Sequence, residues 1–408
     1  MNNNWKRNIT LFLASQTISL FGSMLVQYAI TWYITLQTQS GVMMAISIIC
    51  GFVPTFFLSP FAGVWADRYN RKVLIMLSDS LIAISTLILA ILFLNGYDSL
   101  WMLFVASAVR SVGSGVQSPA ISAFLPQLVP EDKLTKVNAT NSSIQSLVML
   151  VSPMISGALL NMATIESIFF IDVITAAIAV SILLLFLKVP SHAKALEKQK
   201  TSYFSDMVEG YNYIKNHGYV KRFFVFCAIF YVLVSPAAFL TPLQVARSFG
   251  DDVWRLTAVE ITFSIGMMLG GIIIASWGGF KNRTHTMTLS SLIMGICTFA
   301  LGVVPNFWVY LSFMCLFGAV MPAFNTPATV LLQEKVEENF LGRVFSVLGM
   351  ISSITMPLAM LVFGPLADAV AIEWMLIGTG VLLVIQGFFL MKNKELIEAG
   401  MPMSKPEL

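Results

Sequence analysis

The sequence predicts an all-α polytopic membrane protein with twelve transmembrane helices in two six-helix bundles. Three observations carry this. Of 408 residues, 57% are hydrophobic and only 11% charged, less than half the charged share of about 25% in a soluble domain. From Asn8 to Ala66 no residue is charged, and only the polar stretch from Gln37 to Gly41 interrupts these 59 residues. With both termini placed inside, 21 of the 24 Lys and Arg residues fall on one face, the asymmetry produced when cationic loops are retained in the cytoplasm.

The same arithmetic excludes other classes. A net charge of +3, with its basic residues scattered along the chain, leaves no footprint for nucleic acid. Cys50, Cys227, Cys297 and Cys315 all lie in apolar runs and read as small core residues, with no oxidised loop pair among them. His192, His217 and His285 lie in or beside loops without metal-ligand spacing, and no Gly-x-x-x-x-Gly-Lys-Ser/Thr loop is present. Neither a metal, an ATP site nor an enzyme is expected.

Taken in order, the uncharged N-terminal run suits a hairpin of two spans of about 20 residues each. It exceeds the apolar core of a signal peptide, about 7 to 15 residues, so the first span is expected to be retained. Further apolar runs place spans at 73–95, 100–122, 140–162, 167–188, 223–246, 256–277, 285–304, 307–331, 344–369 and 374–391. One span more or fewer would invert every later loop and destroy the charge asymmetry. Only Arg247 and Arg255 then lie outside, and Arg110 is left within a span.

The predicted organisation is an N-terminal bundle over 1–188, a cytoplasmic linker over 189–222, a C-terminal bundle over 223–391 and a cytoplasmic tail over 392–408. In the linker Phe204, Met207, Val208, Tyr211 and Ile214 recur at helical spacing with Asp206, Glu209 and Lys215 between them. That pattern predicts an amphipathic helix on the membrane surface.

The two halves repeat. Trp65, Asn70 and Arg71 recur 212 residues later as Trp277, Asn282 and Arg283, and Ser118-Pro119-Ala120 is echoed by Thr326-Pro327-Ala328. Val129, Leu134, Lys136 and Val137 recur at a spacing of 207 as Val336, Leu341, Arg343 and Val344. Ordered matches of this kind signal a duplicated membrane bundle.

Between the second and third spans stands Gly63-Val64-Trp65-Ala66-Asp67-Arg68-Tyr69-Asn70-Arg71-Lys72. This segment resembles the Gly-x-x-x-Asp-Arg-x-x-Arg-Arg/Lys signature of the major facilitator superfamily, and the resemblance in topology covers the whole chain. It implies the major facilitator fold, with a cytoplasmic latch made by Gly63, Asp67, Arg68, Arg71 and Lys72 and engaged near Gly342 and Arg343. In such a latch Gly63 permits close helix approach, and Asp67 sits at a helix N-terminus held by Arg68 or Arg71. Arg110-Ser111-Val112-Gly113-Ser114-Gly115 is similar to the Arg-centred motif of proton-coupled members. A guanidinium ten residues into a span must face a cavity or a carboxylate, where it either tunes an acid or bridges helices. Ser152-Pro153-Met154-Ile155-Ser156-Gly157 is similar to the Gly-Pro-x-x-Gly-Gly antiporter motif, with serines replacing two glycines and Val148 replacing a third. Pro153 and Gly157 are expected to bend the helix.

Together with Glu260-Ile261, Phe263, Gln333-Glu334-Lys335 and Leu341 to Ser346, these motifs resemble the macrolide-efflux branch of the drug:proton antiporters. The resemblance implies export of a hydrophobic or amphiphilic compound by proton antiport with rocker-switch alternating access. The implied setting is a bacterial cytoplasmic membrane, the protein monomeric in lipid, with no cofactor and the proton gradient as energy source. Export of an endogenous metabolite such as a siderophore fits the same machinery. A non-transporting membrane sensor would bring a soluble signalling domain, for which no connection has room.

Proton coupling needs a buried group that changes charge. The candidates are Glu260, Asp172 and Asp79, with Arg110 as their modulator. Glu260 is favoured because Ser264, Gly266, Gly270 and Gly271 follow it and permit close packing. Asp79 is expected to support the latch through Arg68 or Arg71, Asp172 to cap or cross-link helices, and Asp368 to meet water at the end of the eleventh span. The first span holds no acid, only Gln16 and Gln27. For substrate contact, Gln27, Tyr28, Trp32, Phe230 and Tyr231 combine aromatic surface with polar groups, although packing or an interfacial belt accounts for any one of the aromatic residues.

Overall fold

The computed structural model describes residues 5–187 and 212–401. The order of elements is α1 (Trp5–Thr38), α2 (Gly41–Arg68), α3 (Arg71–Leu94), α4 (Leu100–Leu128), α5 (Glu131–Met162), α6 (Ile165–Phe186), α7 (Gly218–Phe239), α8 (Thr241–Ser248), α9 (Val253–Trp277), α10 (Arg283–Val303), α11 (Phe307–Lys335), α12 (Glu338–Ala369), α13 (Ile372–Lys392) and α14 (Lys394–Ala399). No strand occurs among the described residues. The expected linker helix lies almost wholly outside them.

Twelve of these helices are 21 to 34 residues long, enough to cross a hydrocarbon core at about 1.5 Å per residue. Eleven helical segments are also apolar enough. The exception is α4, where Arg110 shares the helix with Ser107, Ser111, Ser114 and Gln117. The least apolar span is the one that carries the embedded cation. The predicted span at 223–246 is divided in the structure: α7 ends at Phe239, and α8 begins with a proline in its first turn, where the missing N–H costs no helical bond.

Two compact units emerge, residues 1–38 with 46–200, and residues 39–45 with 201–408. In the first, α1 packs on α5 and α6, and α3 packs on α4 and α6; in the second, α7 packs on α12 and α13, and α10 packs on α11 and α13. The same four pairings thus occur in both units. The repeated residues have repeated jobs. Asn70 accepts from Lys72 N and Val73 N at the start of α3, while Asn282 accepts from Thr284 N at the start of α10. Both are N-caps satisfying amides that the helix leaves free. Arg71 donates to Ala66 O at 2.8 Å, and Arg283 donates to Gly278 O at 3.2 Å, each reaching five residues back.

One end of the first unit is closed by an apolar cluster. Ile9 and Phe12 of α1, Ile75 of α3, Phe124 and Leu125 of α4 and Leu183 of α6 are all buried there. The Phe12 and Phe124 rings meet edge to face at 5.2 Å, a preferred aromatic geometry.

The N-terminal turn of α2 groups with the second unit, and Asp368 is the reason. Its carboxylate accepts from Gly41 N at 2.7 Å, Val42 N at 3.0 Å and Ser40 Oγ at 2.8 Å, and it pairs with Arg247 at 2.8 Å. Asp368 therefore does more than meet water at a helix end: it caps the α2 N-terminus and holds Arg247. Asp368→Ala should lower the unfolding free energy by about 1–3 kcal/mol, read as a lower thermal transition in detergent.

Candidate functional site

Inside the first unit four helices contribute to one buried polar network. Arg110 of α4 forms an ion pair with Asp172 of α6, their side chains 6% and 0% exposed. Thr86 of α3 hydrogen bonds to the same carboxylate at 3.0 Å and also accepts from Arg110. The guanidinium donates in addition to the Ser23 carbonyl of α1 at 3.0 Å, and Ser23 Oγ donates to Asp172 Oδ1 at 3.3 Å. Charges this deep persist when paired and further hydrogen bonded. α1 reaches the pair because Gly22 faces it: a Cβ there would lie 2.0 Å from Thr175 Oγ1 and 3.1 Å from the Asp172 Cα.

About two turns along α3 lies a second buried acid. Asp79 is 1% exposed, and its Oδ1 accepts from Ser19 Oγ of α1 at 2.5 Å and Gln117 Nε2 of α4 at 2.7 Å. Its Oδ2 is buried with no hydrogen-bond partner among the described residues. Asp79 thus faces α1 and α4, away from the loop arginines it was expected to support. Turning α3 to bury Ile75, Ser78, Asp79, Ile82 and Thr86 together points all five into the bundle.

A cavity of about 170 Å³ opens beside these acids. Polar residues contribute to its wall from three helices, Gln16, Ser19, Ser23 and Gln27 of α1, Ser107, Arg110, Ser111, Ser114 and Gln117 of α4, and Asn141 and Gln145 of α5, between apolar residues such as Leu20, Met24 and Ile144. Ser111 is fixed by α2, whose Thr55 Oγ1 donates to Ser111 O at 2.7 Å. The volume suits several water molecules at about 30 Å³ each.

The other expected residues are dispersed. Gln27 lines this cavity, and Tyr28 is half-buried against Trp32, ring centroids 5.4 Å apart. Trp32 and Phe230 are fully buried; Phe230 stacks on Phe324 at 3.9 Å and serves as packing within the second unit. Tyr231 packs edge-on to Phe230 at 5.8 Å. Pro153 and Gly157 lie on the buried face of α5, which continues through both. There Ser156, one of the serines replacing a motif glycine, donates to Leu25 O of α1 at 3.0 Å, so the substitution supplies a cross-link.

Glu260 is half-buried in α9 and makes no hydrogen bond or ion pair among the described residues. Two of the glycines expected to permit close packing beyond it do so. A Cβ at Gly266 or Gly270 would strike the Cys315 or Ala319 carbonyl of α11 at 2.0 or 1.9 Å, whereas Gly271 meets nothing within 4 Å. Those two glycines seat α9 on α11.

The loop between α2 and α3 works as a brace of the first unit. Arg71 donates to Ala123 O near the end of α4 at 2.7 Å, in addition to Ala66 O, and Lys72 Nζ donates to Leu187 O at the end of α6 at 2.8 Å. Cations here satisfy carbonyls at three helix C-termini. Arg68 is exposed. Within the first unit a Cβ at Gly63 would meet nothing within 4 Å among the described residues. The Asp67 side chain lies outside the described residues.

Sequence reasoning found Arg110, Asp79 and Asp172 but missed their neutral partners. Ser19, Thr86, Gln117 and Ser23 were detectable: Gln16, Ser19 and Ser23 share one face of α1, and Gln117 stands two turns from Arg110. Applying the repeat spacings to the second unit gives Gly318 for Arg110, Ser291 for Asp79 and Thr379 for Asp172. The charges belong to one repeat.

A duplicated six-helix bundle of membrane-spanning helices, with ionised groups kept inside it, defines a multi-pass membrane carrier. A sequence model described as Major Facilitator Superfamily matches residues 12–360, and the chain belongs to that superfamily. It is a transport protein and not an enzyme. Macrolide efflux protein A of Streptococcus pyogenes is 29% identical over 384 residues, covering 94% of this chain and 95% of that protein. The staphyloferrin A transporter of Staphylococcus aureus is 23% identical, covering 94% and 96%. The crystal structure of a bacterial homologue of the human lysosomal transporter Spinster superposes with a TM-score of 0.72 at 13% identity, covering 99% of this chain and all of that one.

Because removing one member of a buried pair strands the other, Arg110→Ala should cost about 3–5 kcal/mol. Adding Asp172→Asn should recover part of that loss, measured by thermal unfolding of the purified single and double variants.

Proposed function

We propose that this chain exports a hydrophobic or amphiphilic compound of macrolide type by proton antiport, alternating access by rocking of its two bundles. It works in a bacterial cytoplasmic membrane with both termini in the cytoplasm, the side that its Lys and Arg residues favour. The observation that carries this reading is the presence of buried carboxylates in a membrane-spanning bundle: Asp79 and Asp172, with Arg110 beside a polar cavity. Holding ionisable groups in lipid is expensive, and their use in ion pathways accounts for that expense. Glu260, without a partner in α9, is the candidate acid of the second unit. Near-full-length similarity to a macrolide efflux protein supports the substrate class.

A second reading, export of an endogenous metabolite such as a siderophore, is favoured by similarity of the same extent to a staphyloferrin A transporter. The protein needs no cofactor under either reading.

Everted vesicles containing the protein should accumulate a labelled macrolide when a pH gradient is imposed and stop when it is collapsed. Accumulation indifferent to the gradient would sink proton coupling; accumulation of siderophore but not macrolide would select the second reading. Glu260→Gln should lose most gradient-driven accumulation while retaining substrate exchange, and unchanged accumulation would remove Glu260 from the coupling set.

A further inference from the structure

The two buried acids of the first unit have different surroundings. Asp172 faces the Arg110 guanidinium in an ion pair whose two side chains are buried, so protonating it would leave that cation buried without its counter-ion. Asp79 has no cation within its hydrogen-bonding shell: its contacts are Ser19 Oγ and Gln117 Nε2, both on Oδ1. Gln16 lies beside the same carboxyl and is bonded weakly to Gln117 at 3.5 Å. A hydroxyl or an amide can donate or accept, so this shell serves both the carboxylate and the neutral acid. Two of its buried polar atoms, Asp79 Oδ2 and Gln16 Nε2, have no partner among the described residues. Leaving a bare carboxylate oxygen unpaired in a dry interior is costly.

From this geometry we infer that Asp79 is the proton-binding site of the first unit and that Asp172 is a fixed partner of Arg110 which does not exchange its proton. Hydronium reaching the adjoining cavity, whose wall includes Ser19, Gln16 and Gln117, gives up one O–H bond as a new one forms at Asp79 Oδ2, and neutral water is left behind. Release returns the proton to that water and restores the carboxylate. Gln16 follows by turning its amide, presenting N–H to the carboxylate and its carbonyl to the acid. Of the elements packed around Asp79, α4 contributes Arg110 and α6 contributes Asp172 as charged groups in the bundle interior, already joined to each other; α1 contributes the neutral Ser19 and Gln16. Among the described residues no cation pairs with Asp79.

The inference deepens the antiport reading and rests on it for its purpose, but its test does not require a transported substrate. Infrared difference spectra of the full-length protein in lipid, recorded across a pH titration, should contain the C=O stretch of a protonated carboxyl that appears on acidification. Aspartate-specific 13C labelling of the wild-type protein should shift that band. In a Glu260→Gln background, Asp79→Asn, which preserves both acceptor contacts of Oδ1, should abolish it, and Asp79→Glu should restore a band insensitive to aspartate labelling. Absence of the band from the wild type, or its survival in Asp79→Asn in that background, would overturn the assignment. Macrolide accumulation by the wild type that ignores the pH gradient would instead overturn the antiport reading while leaving the infrared assignment standing.

Discussion

The burial of Arg110 against Asp172 is the constraint to which the first unit is fitted. An isolated ion in a membrane interior costs several kcal/mol even after relaxation, and this pair avoids that cost only with additional donors and acceptors in place. Thr86 from α3, the Ser23 carbonyl and hydroxyl from α1 and the two charged groups from α4 and α6 provide them. Four helices are thereby fixed in rotation about their axes. Gly22 then follows as a requirement, since any side chain would force α1 away from α6. The polar cavity follows as well, because the faces of α1 and α4 that serve the pair also present Gln16, Gln27, Ser114 and Gln117.

Where this pair ends, apolar packing takes over. Phe12, Ile75, Phe124 and Leu183 fill one end of the bundle, and beyond them Arg71 and Lys72 bind carbonyls at the ends of α2, α4 and α6. Hydrocarbon cannot hydrogen bond to a helix terminus, so a transmembrane bundle must finish its carbonyls from its own side chains or from water. The loop signature read from the sequence as a latch has this second duty inside a single unit. It explains why Asn and Arg recur together at the repeat spacing: one caps the helix that begins and the other secures the helix that ends.

Much of this was legible in the sequence because lipid imposes simple rules. Length and apolarity located the spans, and the scarcity of charge isolated Arg110, Asp79, Asp172 and Glu260. What linear order could not supply was proximity. Arg110 and Asp172 are 62 residues apart and Ser19 and Asp79 are 60 apart; which face of each helix turns inward depends on packing that depth alone does not determine. Asp79 was assigned to the nearby loop arginines for that reason. Apolarity marks a span and not the whole helix: α5 starts at Glu131 although the apolar run begins at 140, since the first turns of a helix outside lipid need no apolar residues. Asp368 looked like a hydrated terminus because its partners, Ser40 to Val42, lie more than 320 residues away.

The repeat separates what a bundle needs to stand from the charged groups that only one bundle holds at these positions. Caps and helix pairings are held in common, while Arg110, Asp79 and Asp172 correspond to Gly318, Ser291 and Thr379. Gly318 is packed so tightly that a Cβ would lie 2.3 Å from the Phe263 carbonyl, leaving no volume there for a guanidinium. The two copies differ at this point: one uses its central helix contact for close backbone packing, the other lines a cavity with polar residues. A chain assembled from two copies of the second half would inherit the architecture and lose the electrical asymmetry, and with the backbones already in contact no single substitution could write it back.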